Sequence, residues 1–163
     1  MATYREHDVL LELLRREQSQ LLESITQLGV GDSRLPLDEV GSRLRSLAAA
    51  EHEVLYPAFA RVTLRPEAQR LLDDCRGHRT LQLDALAQLV RTRTTNRLWK
   101  IRALQLRELV QHHAEQQEAG LVPVLRSQLP RALYRSLAMA FAARHAQYLH
   151  EAPRVAAAGG ATL

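Results

Sequence analysis

Apolar residues recur every three or four positions along most of this 163-residue chain, and glycine or proline stands at the breaks. This spacing places apolar side chains on one face of an α-helix and predicts a helical protein. Five helices are predicted, at about residues 4–28, 36–61, 66–93, 97–128 and 131–149. Residues 1–151 are therefore predicted to form one helical domain, and residues 152–163, rich in alanine and glycine, a disordered tail.

Composition excludes several classes of protein. Aromatic residues make up only 4% of the chain, which argues against an all-β fold. The single cysteine, Cys75, excludes an intramolecular disulfide framework and a zinc ribbon held by several cysteines. No apolar run approaches the length of about 18 residues that a membrane span needs, and no secretory signal is visible, so we expect a cytoplasmic protein.

The positive net charge of +4 comes almost entirely from arginine, with Lys100 the only lysine. Arginine use with abundant alanine and leucine is typical of a GC-rich bacterial genome. The arginines are scattered among acidic residues and form no basic stripe on one helix. We therefore expect no nucleic-acid partner.

Four amphipathic helices of similar length with short links predict an up-down-up-down four-helix bundle over residues 4–128, with the fifth helix added at its side or end. The apolar stripe of the third helix is assigned to Leu71, Cys75, Leu81, Ala85 and Leu89. The fifth helix carries its own stripe, Leu133, Leu137 and Phe141. That face either docks on the bundle or meets a second subunit, so a homo-oligomer through this helix is one possibility.

An internal duplication is indicated by two short repeats. Helices two and four both end in Leu-x-Pro, at Leu55–Pro57 and Leu121–Pro123. Helices one and three share a short run that begins at His7 and at His78. Together the repeats indicate two related helical hairpins.

Polar residues interrupt the apolar stripes at helical spacing on all four bundle helices, so each is predicted to face inward. They are His7, Gln18, Glu51, His78, His113 and Gln117. A buried, ionised glutamate is costly without a cationic or protonated partner. Two histidines and one carboxylate are a ligand set for Fe(II), Zn(II) or Mn(II). Against this stands a simpler interpretation, in which each histidine is a satisfied core residue and Glu51 forms a buried ion pair.

The runs Ala50-Glu51-His52-Glu53-Val54-Leu55-Tyr56-Pro57 and His113–Pro123 resemble the paired signatures of hemerythrin-like, cation-binding domains. The resemblance covers about residues 3–128. It implies a duplicated four-helix bundle that binds two irons through histidines and two bridging carboxylates. Such domains act in oxygen binding, in sensing of iron or oxygen, and in reactions with nitric oxide or peroxide.

The ligand set that the resemblance implies is incomplete here. His78 and His113 match the ligands of the third and fourth helices, and Glu51 matches one bridging carboxylate. Leu47 stands where the second-helix histidine belongs, and Gln117 stands in place of the second bridging carboxylate. For the first helix, His7 is the better match and Gln18 its rival. An ordinary di-iron centre is therefore not expected.

Two hypotheses follow. The first is a single iron or other divalent metal at His78, His113 and Glu51, joined weakly by His7 and Gln117, that senses or reacts with oxygen, peroxide or nitric oxide. The second is a metal-free bundle that binds a small molecule or a protein. A third, general acid–base catalysis by Glu51 and a histidine, has no substrate signal.

For several other residues a structural role and a functional role are both considered. Cys75 is taken as a small core residue rather than a redox thiol or soft ligand. Asp74 is a solvated acid or an auxiliary ligand. His52 and His112 are placed at the edge of the inward faces.

Overall fold

The computed structural model describes residues 8–30, 35–62 and 65–158, and every regular element in these ranges is helical. The helices are α1 (Val9–Leu28), α2 (Leu35–Ala50), α3 (Tyr56–Val62), α4 (Pro66–Val90), α5 (Leu98–Gln116), α6 (Val122–Gln128) and α7 (Arg131–Ala158). The prediction of an all-helical protein is confirmed for this part of the chain.

Two π-helical turns connect neighbouring helices into longer rods. The turn at Glu51–Leu55 joins α2 to α3, and the turn at Gln117–Leu121 joins α5 to α6. In each turn a backbone N–H reaches five residues back, from Tyr56 to the Glu51 carbonyl and from Val122 to the Gln117 carbonyl. The break expected at Pro57 thus takes the form of a π-turn just before the proline, which lacks an N–H to donate.

The helices pack around a core rich in leucine. α1 lies against α2 and α5, α4 lies against α5, and α7 packs most extensively against α2. The indole of Trp99, at the start of α5, is buried and donates a hydrogen bond of 2.9 Å to the Leu28 carbonyl at the end of α1. This contact ties the end of one helix to the start of another.

The register predicted for the third helix, α4, is wrong in its middle. Leu81, assigned to the core, is 51% exposed, and Leu71 and Ala85 are only partly buried. The buried face of α4 is instead formed by Leu72, Cys75, Arg79, Gln82, Leu86 and Leu89. These positions follow one another at steps of three and four residues, which is the better fit to helical spacing. The correction turns Arg79 inward in place of His78.

α7 extends beyond the predicted end at residue 149 and remains helical to Ala158, so the segment predicted as a disordered tail is helical over residues 152–158. The rest of that segment, residues 159–163, lies outside the described residues. Phe141 is fully buried while Leu133 is 57% exposed, so the middle of this helix docks on the core. Within the described ranges, no helix is long and apolar enough to cross a membrane.

Candidate functional site

Glu51 lies at the start of the first π-turn and is completely buried. Its Oε2 atom accepts hydrogen bonds from the Tyr56 hydroxyl, at 2.9 Å, and from Arg79 Nε, also at 2.9 Å. Its Oε1 atom accepts a second bond from Arg79, donated by Nη2. The carboxylate therefore faces a guanidinium in a bidentate pair, the geometry that gives the strongest hydrogen bonds between these two groups.

Arg79 comes from α4 and is itself buried, with 6% of its side chain exposed. Its Nη1 atom donates to Oε1 of Gln82, one turn along the same helix. The Gln82 amide nitrogen in turn donates to the Leu109 carbonyl of α5, at 3.1 Å. The guanidinium is thus held from both sides, and the chain of hydrogen bonds links α2, α4 and α5.

His113 reaches the same carboxylate from α5. Its Nε2 atom lies 3.3 Å from Glu51 Oε2, and the ring is 1% exposed. Burial and the neighbouring charge of Arg79 hold the pKa of His113 below its usual value, although the Glu51 carboxylate opposes this shift. A neutral imidazole donates from Nε2 to the carboxylate, and its Nδ1 atom has no partner within the described residues.

The electrostatics of the cluster favour an ionised Glu51. Burial alone would raise the pKa of this carboxyl, but the charge of Arg79 and the contacts with His113 lower it well below the usual range. Burial and the nearby carboxylate raise the pKa of Tyr56, so the phenol keeps its proton. The same two causes raise the pKa of Cys75 to about 12, which makes this thiol unreactive in the folded protein.

The predicted metal ligands are only partly brought together. Glu51 and His113 are in contact, but His78 is partly buried, and its ring packs edge-on against His112, with centroids 4.8 Å apart. His7, the weaker candidate, lies outside the described residues. Among the described residues no group of three or more His, Cys, Asp or Glu side chains is placed to hold a metal ion.

Gln117, predicted to replace a bridging carboxylate, pairs with a residue of α1. Its Oε1 atom accepts a hydrogen bond of 2.7 Å from Gln18 Nε2, and both side chains are buried. Gln18, the rival of His7 at the first-helix position, therefore lies in the interior beside the second π-turn. Two neutral amides occupy the place that the resemblance gives to a carboxylate and its metal.

The side chains present do not fit the metal that the resemblance implies. Both oxygens of Glu51 are engaged by Arg79, whose guanidinium cannot lose its proton at any ordinary pH. A divalent cation bound to this carboxylate would lie beside the buried positive charge of Arg79, and the two positive charges would repel each other. Of the other candidate ligands among the described residues, His113 contacts Glu51 itself, His78 packs against His112, and Gln117 is a neutral amide bound to Gln18.

A second buried polar cluster was not predicted from sequence and lies where α1, α2 and α7 meet. His145 of α7 is 5% exposed, and its Nδ1 atom is 3.8 Å from Glu17 Oε2. Glu17 also faces Arg16, at 3.0 Å, and Arg43, at 3.7 Å. Burial lowers the pKa of His145, although the Glu17 carboxylate opposes this shift, so the fold favours the neutral ring.

Comparison with known proteins found no match to a family model, to a curated protein or to a solved structure.

Proposed function

We propose that this chain is a metal-free helical bundle of hemerythrin-like architecture that works as a protein-interaction module. In this proposal the rods 9–28, 35–62, 66–90 and 98–128 run up, down, up and down, and α7 is the added helix. The two π-turns support the duplication, because Glu51 and Gln117 begin them at the same distance, six residues, before Pro57 and Pro123.

The pairing of Glu51 with Arg79 carries the proposal. In a bundle core, a buried carboxylate requires a positive charge nearby, and a metal ion or a guanidinium can supply it. Here the guanidinium supplies it through two hydrogen bonds, with Tyr56 and His113 completing the shell. The polar core can therefore fold without a metal.

The same geometry argues against acid–base catalysis by Glu51. A general base needs a free lone pair within reach of a substrate, and a pKa near the working pH. Glu51 is fully buried, its oxygens are occupied, and its pKa is lowered. The cluster is suited to holding helices together rather than to moving protons.

The surface that we assign to binding lies on α4 and α5. Five large apolar side chains there, Leu81, Val90, Leu98, Ile101 and Leu104, are between 41% and 53% exposed. A groove of about 640 Å³ runs between the two helices, and Leu81 lines it together with Gln105, which follows Leu104 on α5. Exposed apolar side chains gathered around a groove with a polar rim are typical of protein interaction sites.

The proposed partner is a second copy of this chain. The rim of the groove carries both kinds of group that a self-complementary contact needs, the carboxylates of Asp84 and Glu108 and the imidazoles of His78 and His112. A two-fold axis would place the acids of one copy against the histidines of the other. Closed two-fold dimers are the commonest form of self-association.

Sedimentation velocity over a wide range of concentrations tests the proposal. We expect the wild-type chain to form a dimer to the same extent with chelator or with added Fe(II). Leu104→Glu should shift the equilibrium to monomer because it places a charge in the apolar contact. Met139→Glu is the matched control, since Met139 is an exposed apolar residue of α7, 72% accessible.

Three outcomes would contradict the proposal. If the chain stays monomeric at all concentrations, it does not bind a second copy of itself. Loss of the dimer in Met139→Glu but not in Leu104→Glu would place the contact on α7. That result would favour the other possibility, a homo-oligomer formed through the fifth helix. A dimer that forms only with iron would favour the single-metal hypothesis.

A further inference from the structure

α7 is joined to the preceding helices by one covalent link, at its N-terminal end, and is otherwise held by its buried face. It packs against α1 and α2, and its buried residues include Ala138, Phe141 and His145. The hydroxyl of Ser46 on α2 donates a buried hydrogen bond of 2.6 Å to the backbone carbonyl of His145. A helix attached at one end can open locally while the rest of a core stays folded. The docking of α7 can therefore be lost without unfolding the helices that it covers.

The imidazole of His145 lies inside this interface, and one of its two nitrogens is unpaired. The residue is 5% exposed, and its ring lies nearly parallel to that of Phe141, with centroids 6.3 Å apart. Nδ1 is 3.8 Å from Glu17 Oε2, which is beyond hydrogen-bonding distance. Nε2 is buried and has no hydrogen-bond partner among the described residues. A neutral ring can leave Nε2 as a bare acceptor, whereas a protonated ring carries an N–H on both nitrogens.

The charges around this ring do not compensate a further positive charge. Glu17 of α1 already faces Arg16, at 3.0 Å, and Arg43 of α2, at 3.7 Å. Glu51, the other carboxylate that acts on the ring, is paired within its own cluster. Burial is the largest cause that lowers the pKa of His145, and the two arginines add to it while the two carboxylates oppose it. A proton taken up by the docked ring therefore places a charge and an unpaired N–H in a buried site.

We propose that α7 is a pH-sensitive switch, which undocks from α1 and α2 when the ring of His145 takes up a proton. Water can solvate the protonated ring once the helix is undocked, so the proton binds more tightly to that state. By linkage, docking is at full strength above pH of about 6.5, the value for an unburied histidine, and weakens below it. Undocking uncovers the apolar faces of α1 and α2. It does not depend on the contact proposed for α4 and α5.

Hydrogen exchange of the full chain, followed for single amides by NMR, tests this switch. Protection factors correct for the effect of pH on the intrinsic exchange rate. Below pH of about 6.5 we expect the protection of α7 amides around Phe141 to fall by up to about tenfold per pH unit. Amides around Leu106, in the middle of α5, should keep more of their protection. His145→Gln should remove the pH dependence of α7, and His150→Gln is the matched control, since it removes an exposed histidine from the same helix.

Three results of the exchange experiment would overturn the proposal. They are an α7 whose protection does not change with pH, an equal loss of protection in α5, and an unchanged pH dependence in His145→Gln. The titration of the His145 ring resonance in the wild type is a check that needs no variant. Its midpoint in the docked protein should lie below the unburied value of about 6.5, and a midpoint at or above that value would also overturn the proposal.

Discussion

Replacing Arg79 by methionine should destabilise the protein strongly, because it leaves the Glu51 carboxylate buried without its cation. Glu51 is fully buried and would keep only the hydrogen bonds from Tyr56, at 2.9 Å, and His113, at 3.3 Å. Breaking a buried ion pair by removing one partner costs about 3–5 kcal/mol of the free energy of unfolding. Urea unfolding followed by circular dichroism measures this loss.

Two further variants separate the charge effect from lost packing. Arg15→Ala removes an ion pair with Glu118 whose side chains are 55% and 43% exposed, so it should destabilise the protein far less than Arg79→Met does. In the Arg79→Met background, Glu51→Gln should recover part of the loss, because the neutral amide still accepts a hydrogen bond. Residues in one hydrogen-bond network commonly show interaction energies of about 0.5–3 kcal/mol.

The pH dependence gives the sharpest check. In the wild type the pKa of Glu51 is lowered, so its contribution is present above the unfolded pKa and is lost as the pH falls below it. In Arg79→Met the largest cause that lowers the pKa of Glu51 is gone, so burial, which raises the pKa, is opposed only by the contacts with His113 and Tyr56. The folded variant therefore takes up a proton at higher pH than the wild type does. The difference between the free energies of unfolding of the wild type and of Arg79→Met should therefore become smaller as the pH falls. A loss no larger than that of Arg15→Ala, or a gap independent of pH, would refute this reasoning.

Three other predictions concern buried polar groups. Burial lowers the pKa of His145, so stability should be full above the unfolded pKa of about 6.5 and fall below it by up to about 1.4 kcal/mol per pH unit. In urea titrations, His145→Gln should flatten this decline and His150→Gln should leave it unchanged. Gln18→Leu should cost about 1–3 kcal/mol, because Gln117 loses its partner, and the double leucine variant should recover part of this on thermal unfolding. Cys75 should react with a disulfide reagent only when urea unfolds the chain, and rapid labelling of the native protein would contradict its burial.

The positions of the helices could be predicted because local signals set them. The spacing of leucines marks the buried faces, and Gly29, Pro66 and Pro130 stand at helix ends or starts. The end of α7 is not predicted correctly, because the alanine- and glycine-rich segment after residue 151 is interpreted as a tail. Alanine also favours helix, and the helix continues to Ala158. Docking of α7 through Phe141 was one of two possibilities that the sequence left open.

The candidate site was predicted in part, and the missing residue was Arg79. The sequence indicated that Glu51 is buried and needs a positive partner, and it placed His113 beside it. An arginine is expected at the surface by default, because charged residues are rarely buried unless they are paired. Its spacing from Leu72, Cys75 and Gln82 was the available signal, and only the structure shows that its partner lies on another helix.

The claim that Arg79 takes the place of a metal is tested most directly by iron titration of the wild-type chain. The protein is purified from cells grown with added iron, analysed for metal content, and titrated with Fe(II) without oxygen while its unfolding temperature is followed. The account predicts no stoichiometric metal and an unfolding temperature that neither iron nor chelator changes. A stoichiometric iron that raises the unfolding temperature, and that His113→Ala releases while His150→Ala does not, would contradict it.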